Sequence, residues 1–115
     1  MKAPCRYAAD CGSCQLQELD YPAQLADKKQ SVVDALTKAG LDGALVAPVI
    51  GMKDPWHYRC KAQYPAQYIS GKPSLGFYKK ATHELIGIEE CLTQHPLANK
   101  LIAPIHVQIH PLLFS

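Results

Sequence analysis

The chain has 115 residues, of which 48% are apolar and 19% are charged, and these values are typical of one globular domain rather than a disordered chain. Its formal net charge of +2 is too small to indicate a particular partner. No segment approaches the roughly twenty consecutive apolar residues of a membrane-spanning helix, and the first residues lack the pattern of a signal peptide. We therefore expect a cytoplasmic protein without a membrane partner, in which thiols stay reduced.

The first regular element is predicted over residues 21–39. Asp20 is a favourable N-cap, and Pro22 in the first turn lacks only an N–H group that the helix would leave unpaired in any case. Gly40 is a typical helix end. Between these signals, apolar residues recur at helical spacing, at Leu25, Val32, Leu36 and Ala39.

The remainder of the chain predicts a small sheet. Short strands are expected over residues 44–50, 56–64, 75–80 and within 82–90. The first of them contains Pro48, which places it near an edge, and the segment 70–74 is a hairpin connection. A short helix over residues 96–103 would end at Pro104.

This order of elements indicates an α+β fold, in which one long N-terminal helix packs on an antiparallel sheet of about four strands. We divide the chain into a cysteine-rich loop over residues 1–20, a central α+β domain over 21–101 and a tail over 102–115.

The predicted strand over residues 56–64 alternates between apolar and polar side chains, which is typical of a half-buried strand. One face carries Trp56, Tyr58, Cys60, Ala62 and Tyr64. The other face is basic and carries His57, Arg59, Lys61 and Gln63. The basic face is a candidate contact surface, for which a solvated sheet face is the alternative.

Three of the five cysteines, Cys5, Cys11 and Cys14, fall within ten residues near the N-terminus. An odd number of cysteines in a reducing compartment argues against a disulfide framework and favours metal ligation by some of them. Cys11 and Cys14 form a C-x2-C pair, and we expect Gly12 to supply a positive φ in the turn between them. Zinc or an iron–sulfur cluster suits such thiolate ligands.

A fourth ligand would come from Cys60 or Cys91. Cys60 lies on the apolar face of a predicted strand, where a small buried side chain is the simpler interpretation. Cys91 ends a strand and begins a loop, from which its side chain can reach a centre held by another loop. Cys91 is therefore the better candidate, against the alternative that the cysteines are unrelated thiols.

The motifs C-x5-C-G-S-C-Q-L-Q and E-E-C-L-T-Q-H-P, with the stretches DYPAQLADKK, PVIGMKDPWHYRCKAQYP and GFYKK, resemble the iron–sulfur RNA uracil C5-methyltransferases. The resemblance covers about residues 3–101. Three positions depart from the family pattern, namely Ser13, Glu18 and Cys60. None of these departures removes a candidate ligand.

The resemblance implies a 4Fe-4S cluster with a structural role, bound by Cys5, Cys11, Cys14 and Cys91 and sensitive to aerobic handling. It also implies RNA, in particular ribosomal RNA, as the partner rather than DNA. In these enzymes S-adenosylmethionine and the catalytic cysteine belong to a separate domain, which no part of this chain resembles. We therefore expect the chain to be a fragment of such a methyltransferase and to catalyse no reaction by itself.

With this resemblance, the basic face at residues 56–64 becomes a candidate RNA surface, which Lys79 and Lys80 on a neighbouring strand would extend. Aromatic side chains near it could stack on splayed bases. For His106 and His110, ordinary surface histidines are favoured over a metal site, because no acidic or cysteine partner lies nearby in the sequence.

Two other functions stay open at this point. The same four cysteines could hold zinc in a small interaction module. The chain could also be a free-standing electron-transfer protein, although ferredoxin-type ligands usually lie in one compact run and a long stretch here separates Cys14 from Cys91.

Overall fold

A computed structural model describes residues 3–108 and divides them between two compact units. One unit is built from Leu16–Asp54. The other combines Pro4–Gln15 with the described residues from Pro55 onward. The N-terminal cysteines therefore share a unit with the C-terminal part of the chain and not with the residues that follow them directly.

The first unit contains helix α1, Tyr21–Lys38, as the sequence predicted. The Ala23 N–H donates to the Asp20 carboxylate at 2.8 Å, which is the expected N-cap bond. At the other end Gly40 has a φ of 76°, and the Leu41 N–H returns to the Leu36 carbonyl at 2.9 Å. This positive φ and the returning bond form the usual glycine-terminated helix end.

The strand predicted over residues 44–50 is wrong. Gly43–Leu45 forms a single 3-10 turn, started by an Ala44 N–H bond to the Asp42 carboxylate at 2.8 Å, and residues 46–54 have no regular structure. Pro48 lacks the N–H that a ladder needs, and no described strand pairs with this segment. Apolar residues alone are not sufficient to make a strand here.

The second unit contains a three-stranded antiparallel sheet, with strand order β1-β2-β3. The strands are β1, Ala66–Ile69; β2, Lys72–Tyr78; and β3, Leu85–Gly87. A two-residue turn joins the first two strands, and both of its residues, Ser70 and Gly71, have positive φ, at 51° and 76°. Such a turn matches the twist of a hairpin, so the predicted connection is present but shorter than expected.

The strand predicted over residues 56–64 is also wrong, and the sheet has three strands instead of about four. The segment makes one isolated bridge, in which Arg59 pairs in parallel with Gln94. His57 has a φ of 54°, which is incompatible with a continuous extended strand. The sequence of this segment alternates between apolar and polar residues, but its backbone is not continuously extended. The alternation therefore does not define two faces of a strand.

Helix α2, Pro96–Gln108, packs against β2 and completes the second unit. It continues through Pro104 and does not end before it, contrary to the sequence prediction. The core of this unit includes Leu75, Leu85, Ile88 and Ile102. The predicted α+β class is confirmed. Within residues 3–108, the helices are too short or too polar to cross a membrane.

Candidate metal centre

The cysteine-rich loop, defined here as Cys5–Cys14, is shaped by local turns. The Ala8 N–H donates to the Cys5 carbonyl at 3.1 Å, and the Tyr7 carbonyl accepts the Cys11 N–H at 2.8 Å. Ala8 and Cys11 are both buried, at 8% exposure. Around the C-x2-C pair, the side-chain amide of Gln15 donates to the Gly12 carbonyl at 3.1 Å and closes the turn.

This loop is held along one edge of β2. The Gly12 N–H donates to the Tyr78 carbonyl at 2.9 Å, and the Lys80 N–H donates to the Asp10 carbonyl at 3.0 Å. Cys11 lies between these bonds and pairs with Lys79 in an antiparallel bridge. β1 pairs with β2 only up to Leu75, so the loop occupies the edge that β1 leaves uncovered.

Gly12 serves close approach and does not use the positive φ that the sequence permits at this position. Only Gly40 and Gly71 among the described glycines have a positive φ. A Cβ atom on Gly12 would lie 3.0 Å from the Tyr78 carbonyl oxygen and 3.4 Å from the Lys80 nitrogen. A side chain at this position would therefore push the cysteine-rich loop away from β2.

Cys91 lies four residues after β3 and is buried, at 8% exposure. Asn99 on α2 fixes its backbone from both sides: its side-chain oxygen accepts the Cys91 N–H at 2.8 Å, and its side-chain nitrogen donates to the Cys91 carbonyl at 3.0 Å. Cys91 Sγ lies 3.2 Å from the Thr93 hydroxyl. Sequence reasoning missed both neighbours, because neither residue type is a metal ligand in this context.

The turn that carries Cys91 is tied to the cysteine-rich loop by two contacts. Arg6 forms an exposed ion pair with Glu89 at 2.6 Å, and the Glu89 N–H donates to the Tyr7 hydroxyl at 3.2 Å. The Arg6 guanidinium also lies over the Tyr7 ring, 4.8 Å from its centroid. An exposed ion pair adds little stability, so we regard these contacts chiefly as alignment of the two segments.

Three of the predicted ligands are linked by electrostatic coupling. Burial raises the pKa of the Cys5 thiol, and the negative charges of Cys91, Cys11 and Glu90 raise it further, against a backbone hydrogen bond at Tyr7 that lowers it. All five cysteines are present as thiols and not as disulfides.

The fit of the cysteines to a metal rests on their chemistry and not on their positions. Among residues 3–108, no three or more His, Cys, Asp or Glu side chains lie together in a group that could hold a metal ion. The charges of Cys91 and Cys11 raise the cost of ionising Cys5, and a bound cation would compensate for that repulsion. Soft thiolates in a loop and a turn that are tied together suit zinc or iron–sulfur chemistry.

Cys60 differs from Cys11 and Cys91 in its exposure. Its side chain is exposed, whereas theirs are buried, and its sulfur lies 3.9 Å from the Tyr58 carbonyl. The prediction of a small buried side chain was wrong for the same reason as the strand that carried it, because the segment has no sheet face to turn inward. Its exclusion as the fourth ligand stays a prediction.

The candidate RNA residues His57, Arg59, Lys61 and Gln63 are all exposed. Their segment is held against the turn that follows Cys91: the His57 N–H donates to the Leu92 carbonyl at 2.8 Å, and the Arg59 N–H donates to the Thr93 carbonyl at 2.9 Å. The His57 ring contributes a further bond from Nδ1 to the Gln94 carbonyl at 2.9 Å. The candidate RNA surface therefore begins directly beside the candidate metal centre.

The two other candidate RNA contacts, Lys79 and Lys80, differ in their surroundings. Lys79 forms an ion pair with Glu84, and that hydrogen bond raises the pKa of the Lys79 ammonium. Lys80 is exposed. Lys80 is thus the better candidate of the pair for a phosphate contact. The prediction for His110 lies outside the described residues, as does that for the side chain of His106.

Comparison with known proteins shows similarity along most of the chain. No protein-family model matches it. An uncharacterized RNA methyltransferase of Halalkalibacterium halodurans is 42% identical over 103 residues, which cover 89% of this chain and 22% of that protein. This chain is homologous to one segment of such proteins. Relatives so named in Bacillus cereus and Caldanaerobacter subterraneus are 42% and 41% identical and cover 87% and 86% of the chain.

The relatives are much longer than this chain. The aligned segment is 22% of the length of each of these three proteins, so the chain spans about a fifth of them. The similarity supports kinship with an RNA methyltransferase family. A continuous stretch that covers at least 86% of the chain includes the turn at Cys91.

Proposed function

We propose that this chain is the segment of an S-adenosylmethionine-dependent RNA uracil C5-methyltransferase that carries a metal centre and contacts RNA. The observation that carries this proposal is the 42% identity, over 89% of the chain, to a protein named an RNA methyltransferase. The cysteine spacing adds the finer assignment, since it resembles that of the iron–sulfur members acting on uracil C5. Ribosomal RNA is the substrate that this resemblance favours.

The metal centre we propose is a 4Fe-4S cluster held by Cys5, Cys11, Cys14 and Cys91. The Arg6–Glu89 ion pair and the bond from the Glu89 N–H to the Tyr7 hydroxyl support this choice, because they tie the cysteine-rich loop to the turn that carries Cys91. Cys14 lies at the other end of the closed C-x2-C turn. When bound, the cluster would serve as a structural link. The residues of this chain would then hold the N-terminal loop, the turn at Cys91 and the adjacent RNA surface in one fixed arrangement.

The RNA surface we propose is formed by His57, Arg59, Lys61 and Gln63, with Lys80 as an additional cation. Exposure of all five supports this role, as does the rigid backbone attachment of His57 and Arg59. Between them, Tyr58 is 50% exposed and offers a ring face on which an unpaired base can stack. Cations would supply affinity and the aromatic ring would favour single-stranded segments.

Methyl transfer requires groups that we assign to the remaining four fifths of the intact enzyme. These are the S-adenosylmethionine site, a cysteine nucleophile for carbon six of uracil, and a base that removes the proton from carbon five. The described residues of this chain would position the RNA for that reaction. We therefore expect the chain alone to bind RNA weakly and to transfer no methyl group.

The decisive experiment is anaerobic reconstitution of the 115-residue chain with iron and sulfide, followed by metal analysis and a visible spectrum. The proposal expects a brown protein with about four iron atoms and about four sulfides per chain. A colourless protein that binds one zinc ion tightly and rejects iron would replace the cluster with a zinc module. Reversible cluster reduction without any RNA affinity would instead favour an electron-transfer protein.

A further inference from the structure

Two exposed histidines, His57 and His95, have ring nitrogens whose roles are set by the backbone. His57 Nδ1 lies 2.9 Å from the carbonyl oxygen of Gln94. A carbonyl oxygen can only accept a hydrogen bond, so Nδ1 must carry the proton and donate. A neutral imidazole ring has one donor nitrogen and one acceptor nitrogen. In the neutral ring of His57, Nε2 is therefore the acceptor.

His95 has the opposite arrangement. It directly precedes helix α2, and its Nδ1 accepts the Leu97 N–H at 3.2 Å, as the side chain of an N-cap residue does. A backbone N–H can only donate, so Nδ1 of His95 carries no proton and the ring is neutral. Nε2 of His95 must then carry the proton and is a hydrogen-bond donor.

One peptide group joins both histidines to Arg59. The carbonyl of the peptide between Gln94 and His95 accepts the bond from the His57 ring, and the N–H of that same peptide donates to the Arg59 carbonyl at 2.9 Å. Gln94 is buried, at 1% exposure, so this peptide is held within the packed part of the unit. The two histidines and Arg59 therefore form one small cluster at the candidate RNA surface.

The backbone of His57 adopts a sparsely populated conformation. Its φ of 54° lies in the left-handed region, which few residues other than glycine adopt. The His57 N–H also donates to the Leu92 carbonyl at 2.8 Å, so the residue is fixed by its backbone and by its ring. Within residues 3–108, Nε2 of neither histidine takes part in a hydrogen bond. Residues held in such conformations cluster at binding positions.

We propose that His57 and His95 are a neutral acceptor–donor pair that contacts the nucleosides of RNA, with His57 Nε2 accepting a hydrogen bond and His95 Nε2 donating one. This inference rests on the proposed function, because it requires RNA at this surface. Phosphate oxygens have no proton to donate, so the partner of His57 is a donor group, either the N3–H of uracil or a ribose 2′-OH. The pair would supply discrimination, and Arg59 would supply attraction to phosphate.

Substitution by asparagine removes the outer nitrogen of each ring and can retain the inner bond. In His57→Asn the amide nitrogen can donate to the Gln94 carbonyl, and asparagine tolerates a positive φ. In His95→Asn the amide oxygen can accept the Leu97 N–H, because asparagine is a favourable N-cap. His83→Asn, at an exposed histidine between β2 and β3, is the matched control.

The test measures binding of a short oligouridylate to the 115-residue chain by fluorescence anisotropy, at about pH 8, above the ordinary titration range of histidine. The RNA is used unmodified, with 2′-O-methyl ribose and with N3-methyl uracil. We expect His57→Asn and His95→Asn each to bind unmodified RNA roughly 3- to 10-fold more weakly, and His83→Asn to match wild type. One modification should weaken wild type equally and cause no additional loss in His57→Asn, which identifies the donor as ribose or base.

His57→Lys separates hydrogen bonding from charge. Lysine adds a cation but has no acceptor, so this variant should bind as weakly as His57→Asn. Affinity equal to or above that of wild type would make His57 a phosphate contact and overturn the inference.

The remaining outcomes separate this inference from the proposed function. If wild type binds RNA and the two asparagine variants match it, the histidines are only structural. A loss in only one of these variants would refute the pair. Equal binding of all three RNAs by wild type would refute the acceptor role of His57 without reference to any variant. Wild type that binds none of them overturns the proposed RNA surface together with this inference.

Discussion

The Arg59 N–H donates to the carbonyl of Thr93 at 2.9 Å, and the hydroxyl of that same Thr93 lies 3.2 Å from Cys91 Sγ. A single residue therefore joins the candidate RNA surface to the candidate metal centre. Thr93 is 5% exposed, so it cannot shift without disturbing its neighbours. Loss of the metal centre should consequently change the backbone position of Arg59, although Arg59 is not a candidate ligand.

The first prediction concerns the ligands. Replacing Cys5, Cys11, Cys14 or Cys91 with Ser should each reduce the iron content after anaerobic reconstitution, because each change removes one thiolate. Cys60→Ser is the matched control and should retain iron, since its side chain is exposed. Iron and sulfide analysis measures the result. Iron loss in Cys60→Ser with retention in Cys91→Ser would refute the choice of the fourth ligand.

The second prediction concerns Asn99. Asn99→Ala removes two hydrogen bonds to the backbone of Cys91 and should lower the free energy of unfolding by about 1–3 kcal/mol, as measured by urea denaturation of the metal-free chain. It should also weaken metal retention by displacing Cys91. Lys100→Ala, at the exposed next position on α2, should change neither quantity. If Asn99→Ala and Lys100→Ala had equal effects, the cause would be a general destabilisation of α2 and not the loss of the bonds to Cys91.

The third prediction concerns the approach of Gly12 to β2. Gly12→Ala should loosen the cysteine-rich loop, because its Cβ would lie 3.0 Å from the Tyr78 carbonyl oxygen and the backbone must shift by a few tenths of an ångström to make room for it. Amide hydrogen exchange should accelerate across residues 5–14 while the amides of β3 stay protected. Ser13→Gly, one position along, should leave exchange in the loop near wild type. Unchanged protection in Gly12→Ala would mean that the loop does not depend on this contact.

The fourth prediction concerns RNA. Arg59→Ala combined with Lys61→Ala should flatten the dependence of log affinity on log salt by roughly 1.4–1.8, for a single-stranded or a duplex ligand respectively. Lys28→Ala with Lys29→Ala removes the same charge from α1 and is the control for a general field effect. Fluorescence anisotropy across a salt series measures both slopes. Equal flattening by the two double variants would argue against a defined surface.

The fifth prediction concerns alkaline pH. The pKa of the Cys5 thiol is raised in the folded chain above its ordinary value of 9.0, so the unfolded chain loses this proton first as pH increases. The metal-free protein should therefore have its full stability below pH 9.0 and lose part of it above that value. Cys5→Ser should remove part of this decline in urea midpoints measured from pH 8 to 10. If stability declined equally in Cys5→Ser and wild type, the decline would come from titratable groups other than Cys5.

Several features could be predicted from the sequence because local residues decide them. Helix α1 follows from the N-cap Asp20 and the terminating Gly40, each of which acts within one turn of its own position. The α+β class follows from the order of the periodic segments. The C-x2-C pair marks a turn, because two cysteines at that spacing are close whatever surrounds them.

Only the tertiary structure decided the rest, because it depends on partners distant in sequence. The alternation over residues 56–64 predicted a strand, but a strand needs a neighbour, and this segment bonds to residues 92–95 with His57 at a φ of 54°. The need for Gly12 arises from β2, and the fixed position of Cys91 arises from Asn99 on α2. Hydrogen-bond partners and burial are properties of the packed chain, and local pattern does not specify them.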